Sequence, residues 1–198
     1  MSELTRLTLQ PDNPCNTKIT DEDGNVLYVV YTEHGKNAST TRVFDPQDHV
    51  LAAYVWTDYI SSDRVALGDQ PLIPLSKWLH KSIIPFVDDV SFKDDKGRKY
   101  KWKGNSPGMA LQLHTEDDGF KEPIAGFERS RRDPKSDPKN STWTPAQLLF
   151  MPPALEIRDT VILSFLVLER SHRSNEQSKD NLIKGEVALM GGMPLGGY

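Results

Sequence analysis

The side chains able to do chemistry are spread thinly along this 198-residue chain. Two acidic runs, DEDGN at Asp21–Asn25 and EDDG at Glu116–Gly119, have the composition that opens a calcium loop. Such a loop also needs a bidentate glutamate at its twelfth position. Counted from Asp21 that position is Thr32, so the pattern fails and both runs read as hairpin turns. His34, His49, His80, His114 and His172 are scattered, without metal-ligand spacing and without a cysteine pair. No metal and no cofactor is expected. The glycines of GGMPLGG near the end lack the Lys-Ser/Thr step and the strand-to-helix context of a phosphate loop. No Gly-x-Ser-x-Gly nucleophile motif occurs, and the single cysteine, Cys15, sits in a Pro/Asn-rich stretch. His49 and His114 are available to assist a hydroxyl or thiol, but nothing in the spacing selects a partner.

Two basic segments stand out against a net charge of −4. From Lys93 to Gly104 six Lys/Arg face two Asp. On a strand, Lys99, Lys101 and Lys103 share one face while Tyr100 and Trp102 share the other. Further on, Arg129, Arg131 and Arg132 open a Pro-, Ser- and Asn-rich stretch that reads as an exposed loop to Pro145. These six cations are the candidate ligand-binding residues, suited to an anionic head group. A solvated strand face, with lysines guarding against edge pairing, is the plainer reading. The acidic balance argues against nucleic acid, where phosphate neutralisation dominates affinity.

The elements that would position these residues are mostly strands. Four turns, at Asp23-Gly24-Asn25, Asp45-Pro46, Asp95-Lys96-Gly97 and Asp117-Asp118-Gly119, lie between alternating apolar runs and predict four hairpins. Between the second and third, Ser76 is a possible cap for a short helix ended by Pro85. The stretch DTVILSFLVLERSH, Asp159–His172, has no polar face from Val161 to Leu168. Its length suits a helix, and a helix apolar all round must be enclosed. It is too short to span a bilayer. The predicted fold is mainly β, an antiparallel β-barrel enclosing this hydrophobic helix. One domain covers residues 1–173, with the helix at about 159–172. Residues 174–198 read as a polar, then Gly-rich tail, with a short strand possible at Ile183–Leu189.

In order along the chain come DEDGNVLYVV, DDKGRKYKWKG, IAGFER and LEIRDTVILSFLVLER. This order resembles a domain-of-unknown-function family, number 6593, abundant in mushroom-forming fungi. The resemblance runs from about Leu7 to Arg173 and is most specific at GRKYKWKG and RDTVILSFLVLE. Hairpins followed by a greasy helix also resemble the tubby C-terminal-like barrel of tubby, scramblase and LURP-one-related proteins. That resemblance implies a barrel around a central helix, and tubby domains bind phosphoinositides.

The expectation is therefore a non-enzymatic binding or scaffold module, for phosphorylated lipid head groups at the basic face or for a protein partner. A hydrolase-like enzyme with a site at the barrel mouth is the alternative, and a protein–protein interaction domain a third. A single cysteine and the lack of a leader or transmembrane segment point to the cytoplasm.

Overall fold

A computed structural model describes residues 4–57, 62–85, 87–133, 135 and 142–190. Its strands are β1 (Thr5–Gln10), β2 (Thr17–Thr20), β3 (Val26–His34), β4 (Ser39–Phe44), β5 (Val50–Trp56), β6 (Arg64–Leu67) and β7 (Ile73–Pro74). They continue with β8 (His80–Lys81), β9 (Val90–Lys93), β10 (Lys99–Lys103), β11 (Gln112–Thr115) and β12 (Pro123–Glu128). The last are β13 (Arg131–Arg132), β14 (Trp143–Thr144) and β15 (Ala146–Phe150), followed by helices α1 (Pro152–Leu155) and α2 (Arg158–Met190).

Thirteen strands form one antiparallel sheet in the order β7-β6-β5-β4-β3-β2-β1-β15-β12-β11-β10-β9-β8. All four predicted hairpins are present: β2–β3, β4–β5, β9–β10 and β11–β12. In each, one aspartate closes the turn by accepting two backbone N–H groups. Asp21 takes those of Asp23 and Asn25 at 3.0 and 2.8 Å, and Asp45 those of Gln47 and His49 at 2.8 and 2.9 Å. Asp94 takes those of Lys96 and Arg98 at 3.0 and 2.9 Å, and Asp118 those of Lys121 and Glu122 at 3.1 and 2.9 Å. The acidic runs are thus turn chemistry. Among the described residues no group of His, Cys, Asp or Glu could hold a metal ion.

Inward residues alternate with outward ones, as the pleat requires. On β10, Tyr100 and Trp102 are buried and the lysines are not. The inner face closes on α2, whose residues Val161–Glu169 are all buried. Phe165 packs on Phe127 and Trp102, with ring centroids 4.5 and 6.5 Å away. The indole N–H of Trp102 donates to Ser164 Oγ at 2.9 Å, and that hydroxyl donates to the Thr160 carbonyl at 2.8 Å. The enclosed helix of the sequence reading is therefore present.

Three expectations need correction. First, the wall is not closed by hydrogen bonding. No ladder among the described residues joins edge strands β7 and β8. The two edges are instead joined by Leu75–Leu79, a link that spans about 20 Å at most. It is shortened by bonds from the N–H groups of Trp78 and Leu79 to the Leu75 carbonyl, at 3.0 and 2.8 Å. The sheet is therefore curled, with a seam. Second, the helix expected around Ser76 is a single 3₁₀ turn, Leu75–Lys77, preceded by Pro74 and without a side-chain cap. A longer helix would leave no chain for β8. Third, α2 does not stop at His172. It continues through the expected tail and through the stretch read as a possible strand, for 33 residues and about 50 Å. Once nucleated, each added residue gains a hydrogen bond, and SNEQSKDNLIK contains no proline or glycine to break the run. The exposed loop has a short ladder at its base, Arg131–Arg132 against Thr144–Trp143. Gly191–Tyr198 and most of the loop lie outside the described residues.

Candidate functional site

The lysines of β10 lie on its outer face, and each is already engaged. Lys99 pairs with Glu116 at 3.0 Å and Lys101 with Asp89 at 3.5 Å. Lys103 donates to the Phe120 carbonyl at 2.7 Å, while the Lys101 ammonium lies 4.7 Å from the centre of the Phe120 ring. These three side chains pin the β11–β12 turn and the segment before β9 to the sheet.

The arginines are elsewhere. Arg129 follows β12, two strands across the sheet from β10, at the end where α2 leaves the wall. The two basic segments therefore do not form one surface. Around Arg129 the structure assembles a network whose other members the sequence reading did not single out. Arg129 Nε donates to Glu169 Oε1 at 2.9 Å and Nη1 to Glu176 Oε2 at 2.7 Å. Glu169 is 1% exposed and also accepts from Arg173 Nε at 2.8 Å. Arg173 reaches on to Asp12, donating to its carboxylate and, at 2.7 Å, to its carbonyl. Ser130 donates to the same Asp12 carboxylate through its N–H and hydroxyl, at 2.9 and 2.7 Å.

The electrostatics follow from these bonds. Burial raises the pKa of Asp12, but hydrogen bonds from Ser130 and Arg173 outweigh it and hold the carboxyl below its ordinary value. At Glu176 burial again acts upward and is outweighed by Arg129 and by the N–H of Gly108, which donates at 3.1 Å. Burial lowers the pKa of Arg129, and its two glutamates more than reverse that. Two guanidiniums set against one buried carboxylate offset part of the cost of taking it out of water.

His172 lies in this network, with Nδ1 3.6 Å from Glu169 and Nε2 3.5 Å from Glu176 and 2.9 Å from the Ser106 carbonyl. It stands beside two carboxylates, yet it is 1% exposed. His114 is buried, and neither ring nitrogen has a hydrogen-bond partner. His49 sits on the surface against Asp45 at 2.9 Å, in its hairpin turn. Cys15 is half-buried, and burial pushes its thiol pKa up, away from a reactive thiolate.

Beside the network is a cleft of about 380 Å³, walled by Leu111, Phe127, Arg129, Ser130 and Arg131, with Glu169 at its base. Arg129 Nη2 is buried without a hydrogen-bond partner. Arg131 and Arg132 are exposed on β13 and make no ion pair among the described residues. A signal for the network was present in the sequence. Glu169, His172, Arg173 and Glu176 are spaced to share one helix face, and Glu169 ends an otherwise apolar run.

No helix among the described residues is long and apolar enough to cross a membrane. No curated protein and no solved structure matches this chain. A family model described as a family of unknown function matches residues 12–174, which takes in the network from Asp12 to Arg173, the hairpins and the enclosed part of α2. The chain belongs to that family, DUF6593.

Proposed function

We propose that this protein is a non-enzymatic binding module that takes a phosphorylated, anionic head group at the arginine cleft where α2 leaves the sheet. The observation that carries this reading is Arg129. Two of its three nitrogens are fixed by Glu169 and Glu176, the third, Nη2, is buried without a hydrogen-bond partner, and the residue lines a cleft. An unsatisfied buried donor is costly and favours a ligand that accepts from it. Arg131 at the cleft and the neighbouring Arg132 supply the charge that draws an anion, and arginine's planar fork suits phosphate. Support for binding over catalysis comes from His172, held between carboxylates away from solvent. A wall of strands around an apolar helix also supports kinship with tubby-like barrels, and a cytoplasmic setting suits such a module.

The test uses vesicles of neutral phosphatidylcholine with and without a few per cent of a phosphoinositide, at low salt. Greater retention on the charged vesicles, abolished in an Arg131→Glu/Arg132→Glu variant and weakened by added salt, supports the reading. Equal retention on both vesicles sinks it. A soluble inositol phosphate that competes assigns the affinity to the head group.

A further inference from the structure

Where the two sheet edges fail to pair, the wall opens into a groove of about 720 Å³. Tyr54 and Asp63 form one bank, Ile83 and Val90 the other, and Val167 and Leu168 of α2 the floor. Core residues Val90, Val167 and Leu168 line this groove. At the lip, Ile83 is 97% exposed and the adjacent Ile84 62% exposed. Large apolar side chains standing in water beside an apolar groove mark a binding surface. The volume is within the roughly 300–1,000 Å³ of small-molecule sites.

We propose that this groove binds a single-chain amphiphile, its alkyl chain against Val167 and Leu168 and its anionic head at His80 and Lys81. Both side chains line the groove from β8 and are exposed, and neither makes an ion pair among the described residues. The one acid in the lining, Asp63, accepts a hydrogen bond from the Tyr54 hydroxyl and lies 3.8 Å from Arg170 Nη1, so its charge is offset. A peptide strand adding to the seam is the competing occupant. It needs a ladder, but β7 and β8 have two residues each, and Pro74 of β7 has no N–H to give. An alkyl chain needs no ladder. This site lies apart from the arginine cleft and rests on none of its residues.

The probe is 11-(dansylamino)undecanoic acid, used below its critical micelle concentration and displaced by oleate. Saturable binding of one probe per chain is expected. Ser171→Trp fills the groove beside its floor, and Ile83→Asp places a charge on a lip that carries no part of the fold. Each should weaken the probe at least about tenfold with an unchanged melting temperature. Lys81→Glu should weaken oleate while leaving oleyl alcohol unaffected. The proposal is overturned if the intact protein shows no saturable binding. It is equally overturned if Ser171→Trp and Ile83→Asp bind as the parent does, or if extended peptides displace the probe and oleate does not.

Discussion

At the scale of single residues, interior polar groups decide what the protein tolerates. The indole N–H of Trp102 depends on Ser164 for its acceptor in the core. Ser164→Ala should therefore destabilise the fold by about 1–3 kcal/mol, the cost of a stranded buried donor, as read by urea unfolding. Glu169→Ala removes the acceptor shared by Arg129 and Arg173, and about 3–5 kcal/mol is expected for breaking a buried ion network. Folding should also depend on pH through His114. Burial lowers its pKa below 6.5, so the folded chain refuses a proton that the unfolded chain accepts. Stability from this site is complete above about pH 6.5 and falls as the solution is acidified below it. Asp12 and Glu176, whose folded pKa values are depressed, act with the same sign further down. Their contribution is present above the unfolded values of 3.8 and 4.5 and is lost as pH falls through the folded ones. In melts across pH 2 to 8, His114→Gln should remove the upper step and leave the lower.

At the scale of elements, what the sequence showed was local chemistry. Asp21, Asp45, Asp94 and Asp118 each build a hairpin from atoms within four residues, so four turns were readable without knowing the fold. The uninterrupted apolar run of α2 likewise announced an enclosed helix. Phe165→Asp should abolish cooperative folding, because it places a carboxylate against Phe127 and Trp102 with no partner. A soluble Phe165→Asp variant with a sharp melt would refute the enclosed helix. Gly104 was not readable. It adopts φ +76°, and a Cβ there would lie 2.0 Å from the Ala110 carbonyl oxygen. Gly104→Ala should lower the melting temperature well beyond the usual surface substitution. Nor was the length of α2 readable, since polar residues past Arg173 carry no packing signal and helix propensity alone is weak evidence.

At the scale of the molecule, the parts that escaped the sequence are those joining distant residues. Asp12, Arg129 and Arg173 meet only because β1 pairs with β15 and α2 runs past the end of β12. Net charge along a segment said nothing of partners, so the lysines of β10 and Arg129 looked alike although Glu116, Asp89 and Glu169 were waiting for three of them. The unpaired edges were hidden for the same reason, since β7 and β8 are two residues each and leave almost no pattern.

That joint also sorts the chain. Strands β1–β7 occupy one side of the sheet in unbroken order and strands β8–β12 with β15 the other. Among the described residues only the β1–β15 ladder, from Thr5 opposite Phe150 to Leu9 opposite Ala146, holds the two sides together by strand pairing. A chain severed within Leu75–Leu79 would lose no ladder at all. Two separately produced pieces, one ending near Lys77 and the other carrying α2, contain complementary halves of a single molecule, and their reassembly gives a built-in split reporter.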